Sequence, residues 1–87
     1  MNKVVPPFWV VQRQIKMESL DEQLMRLTGP NLPEEFIGIR KGENGLWLGY
    51  VRSEREGEDV ASCPPEHARA LDAWYAAFEL YRNLVIV

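Results

Sequence analysis

Cys63 and His67 are the residues of this chain best suited to carry out chemistry. A thiol reacts as its thiolate, which the positive end of a helix favours and a neighbouring imidazole base can generate. Ser62-Cys63-Pro64-Pro65 reads as the opening of a long helix, with proline in the first turn, where a missing amide costs nothing. His67 follows four residues later on the same helical side, with Glu66 or Asp72 available as an orienting carboxylate. Against this, free cysteines commonly pack as small hydrophobes, and His67 falls on the apolar stripe of that helix. The sequence places neither a third member nor an oxyanion hole, so no catalytic residue is assigned.

Other chemistries have less to work with. One cysteine forms no intramolecular disulfide, and one cysteine with one histidine falls short of a zinc site. The acidic run Ser53 to Asp59 lacks the alternating oxygen ligands and turn glycine of a calcium loop and reads as a solvated loop, so neither metal nor cofactor is expected. Ten Lys and Arg stand against thirteen Asp and Glu, a net charge of -3 that gives no global attraction to phosphate backbones or anionic lipid. No stretch approaches the roughly eighteen apolar residues of a membrane span. Pro6-Pro7 splits the N-terminal apolar run and no small-residue cleavage site follows it, so the run reads as structure and the expected location is the reducing cytoplasm.

These residues must be positioned by few elements. Eighty-seven residues make a single domain, 1–87, whose folding removes only about 60% of the surface that its unfolded chain exposes. Trp9, Val11, Ile15 and Met17 share one parity, the period of a strand. Ser19 and Glu22 have capping-box spacing, and Gly29-Pro30 is a stop, which predicts a first helix between them. Residues 35 to 41 form the next strand and fold back about Asn44-Gly45 onto Leu46-Trp47-Leu48-Gly49-Tyr50-Val51. His67, Leu71, Trp74, Phe78, Tyr81 and Val85 make the core stripe of the second helix, and residues 84–87 are apolar enough to finish as a strand after Asn83. The predicted class is α+β, an antiparallel sheet with two helices on one face in the βαββαβ, ferredoxin-like order. If the tail stays helical, the alternative is a three-stranded sheet with two helices.

The hairpin is apolar on both faces. A two-residue turn sets Ile39 opposite Tyr50, Ile37 opposite Arg52 and Lys41 opposite Leu48 on one side, leaving Phe36, Trp47 and Val51 with Gly38 and Gly49 on the other. A four-residue Gly42–Gly45 loop is the alternative. With both helices on one face, the other needs cover, and a second copy of the chain is the simplest. The expected interface is Trp9, Phe36, Trp47 and Val51, and the expected function is that of a small homo-oligomeric binding or interaction protein. Ala70, Ala73, Ala76 and Ala77 form a low ridge beside the core stripe, read as helix propensity with a further helix contact as the alternative.

Two other readings use the same face. RNA-recognition motifs share this element order and stack bases on aromatics of their first and third strands, yet the third strand here lacks their basic-Gly-aromatic signature and the chain is acidic, which disfavours nucleic acid. A small hydrophobic ligand could occupy the space above Gly38 and Gly49, although no ordered set of polar residues would orient it.

Overall fold

The computed structural model describes residues 4–85. Pro7 begins a short helix, α1 (Phe8–Gln12), which ends as Gln14 takes a positive φ of 59°. Five strands follow: β1 (Lys16–Asp21), β2 (Leu24–Gly29), β3 (Leu32–Lys41), β4 (Trp47–Arg52) and β5 (Asp59–Ser62). A C-terminal helix, α2 (Ala70–Val85), completes the described chain. The strands form one antiparallel sheet in the order β1-β2-β3-β4-β5. The class is therefore α+β, but the order of elements is αβββββα.

Local turn chemistry explains the departure from the ferredoxin-like order. Asp21 Oδ1 accepts the Gln23 backbone N–H at 2.7 Å, closing an Asx turn where the sequence suggested the first turn of a helix. Gly29-Pro30 stops no helix; Pro30-Asn31 is the two-residue link between β2 and β3, with Asn31 at φ 60°, the arrangement of a proline-led type II turn. The expected helix from Ser19 onward is thus the β1–β2 hairpin. The expected strand over Trp9 to Met17 is α1 followed by the start of β1. Leu84 and Val85 continue α2 rather than forming a strand, and the rest of that expected strand, residues 86–87, lies outside the described residues.

The β3–β4 hairpin forms where the sequence places it, but with a different register. Gly45 adopts φ 80° and Gly42 N–H bonds Leu46 O at 2.8 Å, so three residues make the loop. Ile37 then pairs with Val51, Ile39 with Gly49 and Gly38 with Tyr50. Because strand side chains alternate, this one-residue slip moves Phe36 to the face opposite Trp47 and Val51.

One face carries Met25, Leu27, Ile37, Ile39 and Val51 beneath α2. Gly49 sets how closely the helix approaches: a Cβ placed there would meet Ala73 O at 2.5 Å and Ala77 N at 2.8 Å. The alanine ridge is therefore the surface that seats α2 on the sheet, and Ala73 and Ala77 are wholly buried. Trp74, Phe78 and Tyr81 fill the space around this contact, and α1 closes its edge, with Trp9 stacked on Tyr81 at 6.2 Å and edge-on to Phe78 at 6.4 Å. Burying each such aromatic is worth about 1.5–3 kcal/mol.

The opposite face is covered by the chain's own arginines. Leu24, Phe36, Leu48 and Tyr50 cluster there and are all buried. The Arg26 guanidinium lies 5.7 Å from the Phe36 ring centre, while Arg40 and Arg52 lie 4.8 Å and 4.5 Å from that of Tyr50. The space above Gly38 is filled by the Tyr50 ring. Among the described residues, no helix is long and apolar enough to cross a membrane.

Candidate functional site

The segment joining β5 to α2 decides where the residues with chemistry end up. Rather than entering a helix at Pro64, it runs beside β4: Cys63 N–H bonds Gly49 O at 3.0 Å, and His67 and Trp47 exchange backbone bonds of 3.1 and 2.7 Å. Asn44 Nδ2 pins the same segment by donating to Pro65 O at 3.0 Å. Helix α2 starts at Ala70, so Cys63 has no helix N-terminus beside it, and the helical step that would bring His67 to the thiol is absent. Cys63 Sγ instead accepts the Gly49 backbone N–H at 3.1 Å and packs against the Leu24–Phe36–Leu48–Tyr50 cluster. Among the described residues, no group of three His, Cys, Asp or Glu side chains comes together to hold a metal.

The expected interface residues do not share a surface. Val51 is wholly buried beneath α2, and Phe36 is buried on the other face. Trp9 lies against Phe78 and Tyr81, with the Arg82 guanidinium 5.7 Å from its ring centre. Trp47 lines a concave surface on the helix side.

On the arginine face, Asp59 ties three strands together, accepting from Arg40 Nη2 at 2.7 Å and Arg52 Nε at 2.8 Å. Burial pushes the Asp59 carboxyl upward, but these two hydrogen bonds outweigh it and hold the group below its usual range. The bond to Asp59 raises Arg52, while burial raises the Tyr50 phenol against the pull of both arginines. Among the described residues, Arg40 Nη1 is buried without a partner. This is a bonded lattice over apolar side chains.

A concavity lies on the helix side. Because α2 crosses β3 and β4, it leaves the hairpin end of β1 and β2 uncovered and forms a groove of about 970 Å³ beside its first turns. Met25 and Ile39 make the floor, Trp47, Leu71 and Trp74 one wall, and the β1–β2 turn the other. Tyr75 OH donates to Val5 O at 3.3 Å and holds the N-terminal segment along α2, which brings Val4 to the groove. Trp74 is 5% exposed while Leu71, one turn earlier, is 39% exposed, so the wall is fixed at its base and open at its lip.

The sequence places Trp47 in a self-association interface rather than in a groove, and it singles out no other residue of this concavity as a site residue. The core-stripe spacing holds for Trp74, which is buried, whereas Leu71 is exposed at the groove lip, and the β1–β2 turn falls inside the expected first helix. The usable signal was Asp21-Glu22-Gln23, three polar residues between apolar neighbours, which fit a two-residue hairpin link as well as a helix start. Comparison of the chain with protein-family models, with curated proteins and with solved structures finds no significant match.

Proposed function

We propose that this protein is a small binding and interaction protein whose partner enters the groove between the β1–β2 turn and the start of α2. The observation that carries this reading is the pairing of Trp47 and Trp74 with Leu71 in a half-open apolar concavity at the upper end of the usual size of binding pockets. The arginine face supports a nucleic-acid role less well, because Arg40 and Arg52 already donate to Asp59 and the aromatics beneath them are buried. The test is titration with Nile red, an uncharged apolar dye. Saturable binding that Leu71→Glu removes, with unchanged thermal unfolding, supports the groove; binding that is absent or indifferent to this change overturns it.

A second reading, self-association, is favoured by Phe8, Val5 and Val11, which are 77%, 67% and 61% exposed around α1. Light scattering separates it from the first. A wild-type dimer that Phe8→Asp converts to monomer supports it, and a wild-type monomer at high concentration excludes it.

A further inference from the structure

We infer that the groove takes a basic amphipathic peptide, its apolar side chains resting on Trp47, Leu71 and Trp74 and its lysines or arginines facing Asp21 and Glu22. This rests on the groove reading above and adds the chemistry of the partner.

Charge complementarity carries the inference. Among the described residues, the charged residues at the groove are Asp21, Glu22 and Arg69. Arg69 is already engaged, donating to both carboxylate oxygens of Asp72 at 3.2 and 3.3 Å. Among the described residues, neither Asp21 nor Glu22 has a cation within ion-pair range. The Gln23 backbone N–H bonds Asp21 Oδ1 and so holds this carboxylate at the rim without neutralising it. Among the described residues, one wall is thus an acidic turn with no ion-pair partner, and the other is aromatic. Trp47 also attracts an ammonium group: Lys41 Nζ lies 5.3 Å from its ring centre, and Lys41 itself is exposed and outside the lining. A net charge of -3 favours the encounter with a basic chain.

The probe is a tryptophan-free heptapeptide of alternating Leu and Lys, compared with the same peptide carrying Glu for Lys, with Trp emission as the readout. The Lys peptide is expected to bind at least about tenfold more tightly than the Glu peptide, with an advantage that falls as salt rises. Glu22→Lys should weaken Lys-peptide binding about fivefold, the scale of an exposed ion pair, while Glu56→Lys, with the same net charge but in the β4–β5 loop, changes it less than about twofold. Equal weakening by both variants would mean that only the overall field is felt, and the inference falls. Equal binding of the two peptides alongside Leu71-dependent dye binding overturns the cationic partner and leaves the groove intact. Failure of both peptides and the dye overturns both.

Discussion

Under α2 the sheet is sealed by backbone: Gly49 leaves no room for a side chain, and Ala73 and Ala77 sit directly on it. On the opposite face it is sealed by long side chains, with three arginine stems laid over Phe36 and Tyr50 and joined in part through Asp59. Both faces carry buried aromatics, yet only one has a helix. Apolar residues on both sides of a strand therefore require cover without requiring another chain to supply it, because an arginine stem is itself apolar cover with a hydrated head. A backbone seal has no soft part, whereas a side-chain seal can shift.

That difference predicts unequal costs for the same kind of change. Gly49→Ala already drives a Cβ into Ala73 O and Ala77 N, pushes α2 off the sheet and should destabilise by about 3 kcal/mol in urea unfolding. Gly38→Ala meets the Tyr50 ring, which can swing, and Gln23 O at 2.7 Å, which belongs to a tight turn; about 2 kcal/mol is expected in urea unfolding. Equal losses for the two variants would break the distinction between a rigid and a yielding seal.

The hairpin at the centre of the sheet could be read from the sequence because Asn44-Gly45 between two apolar runs leaves little else for the chain to do. Its register could not: two-, three- and four-residue loops all place a turn at Asn44-Gly45, and only the left-handed Gly45 with the Gly42–Leu46 bond selects three. That single residue puts Phe36 on one face and Trp47 with Val51 on the other. The core stripe of α2 from Trp74 to Tyr81 was legible from its spacing, but where the helix begins was not, since Pro64-Pro65 suits a strand extension as well as a first helical turn. Leu20, Leu24 and Leu27 satisfy a helical spacing that the Asx turn at Asp21 overrides. The groove follows from these two misread segments, so nothing in the apolar pattern alone could have located it.

Acid sharpens the comparison on the arginine side. Asp59 has a lowered folded value, so its contribution is present above the usual 3.8 and is lost as pH falls through 3.8 toward and past the folded value. Asp59→Asn should cost about 1.5 kcal/mol at neutral pH by weakening the bonds to Arg40 and Arg52. The gap between wild type and variant in urea midpoint should then narrow as pH drops below 3.8. A gap that stays constant into acid would show that the carboxylate's charge contributes nothing to this seal.

The smallest expected effect probes the helix side, where the seal includes an unpaid polar group. Among the described residues, Tyr81 OH and Glu35 Oε2 are buried without hydrogen-bond partners, and Tyr81 is wholly enclosed. Burial first, and the Glu35 charge second, push the Tyr81 phenol above its ordinary range, which places the two groups within electrostatic reach of each other. Replacing the hydroxyl by hydrogen keeps the ring stacked on Trp9 and removes a desolvated donor that gains no bond in the folded state. Tyr81→Phe should accordingly be neutral or stabilising, by less than about 1 kcal/mol in thermal unfolding. A loss larger than that would mean that the hydroxyl is satisfied, most simply through a water shared with Glu35, and that a polar link runs through what is otherwise an apolar contact between helix and sheet.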